Sequence, residues 1–248
     1  KSLNDDLNTG FDINEITSKI KFVPKTSNTD QSFELKFHTY DEISNETYLG
    51  LTETDFQKNP YLRYPGSEKD KMIAEHEQYV LTHELFVNEK IKITSNFYEN
   101  GFKRNWYKLD DVVHENNSQK ISKVISNPSQ FPDHLKILSG ELNYENALQV
   151  KANNREYISR GIQTKIDYHW YGKNESFNDL ELGIRIHYDE EDRFQWEDIY
   201  NINNGFMALE SYGEKGSQGN RISFANSFAS YLMYKYKFKG LTISPGLR

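Results

Sequence analysis

The 248-residue chain has no cysteine and only six prolines, and no apolar run approaches the ~18 residues that a membrane-crossing helix requires. Disulfides, thiolate metal sites and cysteine nucleophiles are therefore excluded, as is a transmembrane helix. An excess of positive charge is lacking too. Thirty Lys+Arg against thirty-seven Asp+Glu give a formal charge of −7, so no nucleic-acid partner is expected. Hydrophobic residues make up 36% of the chain, and the mean hydropathy is −0.84. So polar a chain would ordinarily stay disordered, but 17 Tyr and 15 Phe argue otherwise, because disordered segments are poor in rings. Low hydropathy with many aromatics fits a β protein that buries only alternate side chains.

Period-two alternation over long segments supports this. Ile162, Thr164, Ile166, Tyr168 and Trp170 share one parity, against Gln163, Lys165, Asp167 and His169 on the other. Leu180, Leu182, Ile184, Ile186 and Tyr188 repeat the pattern, as do Ile222, Phe224, Phe228, Leu232, Tyr234, Tyr236 and Phe238. A helical stripe would mix the two sets. Weaker alternation around Ile20, Leu35, Leu81 and Ile93 extends the reading to eight strands, near 15–24, 32–42, 73–86, 90–102, 157–171, 178–192, 221–237 and 241–248. Several exceed the ~5–6 residues usual in soluble sheets.

The connections alternate in length. Lys25–Asp30, Val87–Glu89, Gly172–Ser176 and Lys239–Gly240 are short, whereas 43–72, 103–156 and 193–220 read as long loops, the second with a short helix near 119–126. Short turns at one end and long loops at the other are the topology of an outer-membrane β-barrel, where strands of ~9–11 residues suffice to cross. Tyr168, Trp170, Tyr234, Tyr236 and Phe238 cluster on the apolar parity beside the short turns, as membrane-interface aromatics do. The same parity would also serve as the inner face of a soluble antiparallel sandwich. Lys1–Asp12 leads straight into a strand and Leu241–Arg248 stops within an alternating pattern. Open strand edges are not tolerated in lipid, so the expectation is an internal portion of a larger barrel, 1–248 forming part of one barrel domain.

Enzymatic signatures are absent: there is no HExxH, GxSxG, Walker A or GxGxxG. His38, His169 and His187 fall on polar strand parities and read as solvated residues rather than metal ligands. The run Asp189–Asp192 lacks the spacing of a Ca²⁺ loop and reads as a solvated strand tip. No catalytic residue, resident metal or cofactor is expected.

Several stretches carry a family resemblance. Ser44–Thr52, followed by Asp55-Phe56, Asn59-Pro60-Tyr61 and Arg63-Tyr64, resembles an extracellular loop of TonB-dependent outer-membrane receptors of the ferric-citrate type. Thr9-Gly-Phe-Asp12, Arg104-Asn-Trp-Tyr-Lys-Leu109 and Arg155-Glu-Tyr-Ile158 leading to Gly161-Ile-Gln163 are similar to segments of the same family, and Ser244-Pro-Gly-Leu-Arg248 resembles a strand start common across the wider receptor family. The resemblance implies an antiparallel transmembrane barrel of about 22 strands, of which this chain supplies about eight, with a plug domain outside this chain. It implies the outer membrane of a Gram-negative bacterium, contact with outer-membrane lipid, and coupling to the TonB complex through an N-terminal part that this chain lacks. The ligand would be a ferric chelate such as iron(III) dicitrate or a siderophore, with iron only as part of the cargo.

Ferric citrate complexes are anionic, so guanidinium groups would recognise them. The ligand-binding candidates are Arg63, Arg104, Arg155 and Arg160 on the loop side, with Gln163 just inside the lumen. Any one of them also fits an ordinary surface ion pair. The alternative is a soluble extracellular β-sandwich binding glycan through exposed aromatics such as Trp106 and Tyr107. An adhesin or a passive channel barrel is a weaker third reading.

Overall fold

A computed structural model gives the fold and describes residues 9–25, 30–45 and 47–248. The middle of the expected turn Lys25–Asp30 and most of the leading loop Lys1–Asp12 lie outside the described residues.

One antiparallel sheet contains every strand among the described residues. Its main path runs β1 (Phe11–Phe22), β2 (Asp30–Ser44), β3 (Lys71–Asn88), β4 (Ile91–His114), β6 (Tyr144–Tyr171), β7 (Phe177–Asn203), β9 (Gly219–Phe238) and β10 (Leu241–Ile243). Short β5 (Asn117–Lys120), β8 (Phe206–Ser211) and β11 (Gly246–Leu247) pair with β4, β7 and β9. The sheet is not closed. This is the fold of a β-barrel segment, and no second sheet covers either face among the described residues. The sandwich alternative fails on that point. Among the described residues, no helix is long and apolar enough to cross a membrane.

Among the described residues, the short turns at Gly172–Ser176 and Lys239–Gly240 form where the sequence placed them, and the one expected at Val87–Glu89 falls at Glu89–Lys90. At the β3–β4 turn, the Asn88 side chain accepts from the backbone N–H groups of Lys90 and Ile91 at 2.9 and 3.0 Å. The long loops need correction: 103–156 and 193–220 are largely strand. β4 continues to His114, β6 begins at Tyr144 and β7 reaches Asn203. Two tight hairpins fold these extensions back, at Glu115–Asn116 and Asn204–Gly205, all four residues having positive φ (50°, 61°, 50° and 78°). Asn204-Gly205 is a strong hairpin dipeptide that the sequence reading passed over. The last expected strand is likewise two pieces, β10 and β11, broken at Ser244-Pro245.

Beyond the sheet's long middle, the extended strand ends carry α1 (Glu53–Lys58), a 3₁₀ turn (Pro65–Ser67), α2 (Ile121–Ser126) and α3 (Pro132–Leu138). The buried hydrophobic core lies here, among Leu109, Val112, Ile121, Ile137, Leu138, Leu148, Val150 and Ile202. The molecule thus has a cap with a dry core and a sheet without one.

Two glycines let tyrosines lie flat on the sheet. Tyr98 crosses Gly161 to reach His187 on the second strand over, its hydroxyl 2.7 Å from Nδ1. Tyr231 lies against its cross-strand partner Gly183 and donates to Glu181 at 2.5 Å. A Cβ on Gly183 would stand 2.0 Å from the Tyr231 ring. Gly183→Ala is therefore expected to evict that ring and cost about 1–3 kcal/mol, read as a lower urea midpoint in detergent. An unchanged midpoint would show that the ring's position contributes nothing.

Candidate functional site

Residues opposite one another in an antiparallel ladder share a face, so the register assigns every side chain to a side. One face carries the row Ile20, Leu35, Leu81, Phe97, Ile162, Ile186 and Phe228 across seven adjacent strands. Each of these residues is at least 38% exposed. A continuous apolar row this open is far from the scattered exposed hydrophobics of ordinary soluble surfaces.

Aromatic rings bound the apolar band at both ends. Beside the short turns, Trp170 stacks on Tyr168 at 4.9 Å and on Tyr234 at 6.1 Å. Tyr236 lies opposite Asn178 on the same face, and Phe238 shares that parity. At the far end, Phe37, Tyr79 and Tyr188 lie in the register row of Arg160, with Phe37 and Tyr79 5.3 Å apart. The rows of Trp170 and Arg160 are about 33 Å apart along a strand, or about 25 Å when projected at the ~40° tilt of membrane barrels. That is the height of a barrel's apolar belt.

The opposite face is polar and cross-linked. Lys92 donates to Glu84 at 2.5 Å, Lys36 to Gln78 at 2.5 Å, Gln78 to Asn100 at 2.7 Å, and Lys165 bridges Glu181 at 3.4 Å. Above these, toward the cap, four arginines occupy a single register row: Arg104 on β4, Arg155 on β6, Arg193 on β7 and Arg221 on β9. Glu191 bridges the middle pair, 3.0 Å from Arg155 and 3.3 Å from Arg193. Arg104 and Arg221 have no hydrogen-bond or ion-pair partner among the described residues. Directly opposed like charges destabilise a sheet, and a row of guanidiniums held by one carboxylate leaves donors with which an anion could pair. Arg presents paired donors matched to carboxylate geometry.

The structure thus makes neighbours of Arg104 and Arg155 but separates the other candidates. All three of Arg104, Arg155 and Arg160 lie in strands, not loops, because β4 and β6 run on into the cap. Arg160 is on the apolar face, 5.1 Å from the Tyr188 ring centre, in the upper aromatic ring. Gln163 lines a cavity of about 610 Å³ with Asn96, Lys165, Arg185 and Tyr231, about 26 Å along β6 from Arg155. Arg63 is buried in the cap at 9% exposure, donating to the carbonyls of Asn45 (2.9 Å), Ser67 (2.6 Å) and Asp70 (3.2 Å). Arg193 and Arg221 escaped the sequence reading; parity placed Arg221 on the polar face, but only register aligns it with the others.

Trp106 and Tyr107, the glycan-platform candidates, are engaged within the fold. Trp106 meets Tyr48 edge-on at 5.3 Å, with the Lys108 ammonium 3.6 Å from the Tyr48 ring centre. The Tyr107 hydroxyl donates to Asp198 at 2.6 Å, and burial first, then that carboxylate, raises its pKa. Asp110, Asp111 and Glu197 could in principle gather a cation. The Lys120 ammonium already sits 3.0 and 2.7 Å from the two aspartates.

Asp70 fastens the cap to β4. It is 2% exposed and accepts from the Leu109 N–H at 2.7 Å and the Thr47 hydroxyl at 2.9 Å. Burial pushes its pKa up to about 6, against the opposing pull of these bonds and of Arg63 and Lys108. Between about pH 4 and 6 the folded protein holds a proton here that the unfolded chain has lost. Its stabilising contribution is full below about pH 4 and is lost as pH rises through 6, a change of about 3 kcal/mol. Amide exchange at Leu109 is therefore expected to be slower, relative to intrinsic rates, at pH 4.5 than at pH 7. Asp70→Asn should abolish that difference; a difference that persists assigns it to another group.

No family model and no curated protein matches this chain. Among solved structures, the unliganded ferric citrate transporter FecA matches with a TM-score of 0.64 and 16% sequence identity, over 96% of this chain. The chain spans 29% of that transporter's length. At this identity the likeness is one of fold alone: the sheet described here has the fold of a segment of that transporter's β-barrel.

Proposed function

We propose that the chain is part of the barrel of a TonB-dependent outer-membrane transporter that takes up an anionic ferric chelate, of the iron(III) dicitrate or siderophore class, in a Gram-negative cell. The observation that carries it is the two-sidedness of one sheet. A belt about 25 Å high faces outward with aromatic borders, and an arginine row with two unpaired members stands on the reverse. The fold shared with a ferric citrate transporter supports the same reading. In a barrel of about 22 strands the remaining strands, a plug and the contact with the TonB complex belong to parts beyond this chain. The chemistry is binding followed by gated passage, with no covalent step, and iron is cargo.

The test uses the full-length protein refolded into lipid vesicles. Heat-modifiable migration and saturable binding of radiolabelled iron(III) dicitrate that weakens steeply with salt are expected. A monodisperse monomer in detergent-free buffer would overturn the membrane assignment. Binding insensitive to salt would remove the arginine row as the recognition element.

A further inference from the structure

A second register row lies directly beneath the arginines on the polar face, and its side chains are rings. Tyr40, His76, Phe102 and Tyr157 are cross-strand neighbours on β2, β3, β4 and β6. His76 and Phe102 meet edge to face with centroids 6.1 Å apart, Phe102 and Tyr157 stack at 6.1 Å, and all four are partly exposed. The next row toward the short turns is His38, Gln78, Asn100, Ser159 and Asp189, as a wetted wall requires. Rings held half-exposed on such a wall forgo part of their apolar burial, and a ligand with a flat apolar face would complete it.

The two rows are joined. Arg155 Nη1 donates to the Tyr157 hydroxyl at 3.1 Å, and Phe102 and Arg104 lie on one face of β4, about 7 Å apart along the strand. A planar ring resting on Phe102 and Tyr157 would bring its anionic substituents within reach of Arg104 and Arg155.

Resting on the receptor reading above, we infer that the ligand's metal-binding groups are aromatic: an anionic phenolate or catecholate chelate, in preference to an aliphatic polycarboxylate. Guanidiniums alone would serve citrate. Citrate offers no face to the ring row.

Calorimetry on the full-length protein in detergent micelles tests this, comparing the iron(III) complex of 2,3-dihydroxybenzoate with iron(III) dicitrate at one pH and salt. The dihydroxybenzoate complex is expected to bind about tenfold more tightly, and Phe102→Leu or Tyr157→Leu to reduce that preference about fivefold with little change for citrate. The wild-type ratio decides the matter even where a variant fails to fold. Equal affinities, or a preference for citrate, would overturn the aromatic assignment and leave the receptor reading standing. Binding of neither complex by folded protein would overturn both.

Discussion

Ile184→Arg is expected to destabilise the membrane-inserted state by about 2–4 kcal/mol, the cost of a cation facing lipid near mid-belt. Ile184 is 44% exposed on the apolar face, between the rings of Tyr168 and Trp170 below and Tyr188 above. The control is Ser227→Arg on β9, whose cross-strand partner is His187 on the polar face. The same charge there meets water and neighbouring polar groups, and its effect should stay within about 0.5 kcal/mol. Equilibrium unfolding from vesicles, followed by tryptophan fluorescence, reads both. Equal losses at the two sites would mean that the apolar face does not meet lipid. The contrast does not depend on any ligand, so it separates the membrane question from the transport question.

Arg155→Glu is expected to weaken binding of an anionic ferric chelate about 100-fold while leaving the sheet as stable as before, or slightly more so. Arg155 sits between Arg104 and Arg193 in the register. A carboxylate at this position would draw both flanking guanidiniums to itself and leave only Arg221 unengaged. Each charge-assisted bond lost to the ligand is worth about 1.5–3 kcal/mol, and tenfold in affinity corresponds to about 1.4 kcal/mol. Opposed like charges are replaced by opposed unlike ones, which favours folding by about 0.2–1 kcal/mol per pair and offsets the lost Arg155–Glu191 ion pair and Tyr157 bond. Loss of binding with an unchanged or raised unfolding midpoint supports the site. Loss of both would show that Arg155 acts structurally through Glu191, and retained binding would place the ligand elsewhere.

Much of the architecture was legible without coordinates. Alternation around Ile162–Trp170 and Leu180–Tyr188 identified the strands and their apolar face, and the rings beside Gly172 and Lys239 lie on that face at the lower end of the apolar band. The upper border was missed, although Phe37, Tyr79 and Tyr188 all lie on apolar parities. Arg160 and Glu99 stand in the same row and break the apolar pattern there. The strand extensions failed for a different reason. Past Arg104 and Arg155 one side of the sheet packs against α2, α3 and the 3₁₀ turn, so local sequence follows cap packing and the simple two-residue rhythm fades. Arg63 read as a ligand-facing loop residue because nothing local reveals that three carbonyls converge on it.

Alone, the sequence determined which residues face which way, because side-chain alternation is a property of each strand by itself. Register is not. Sliding a strand by one residue would turn its whole apolar set to the wrong side, and the pattern forbids it. Sliding it by two keeps every residue on its own face and changes only its neighbours. The alignment of Arg104, Arg155, Arg193 and Arg221 into one row, and of four rings into the row beneath, was therefore decided by the tertiary structure: by the tight turns, by tyrosines seated on Gly161 and Gly183, and by the cap that clamps the far ends of β4, β6 and β7.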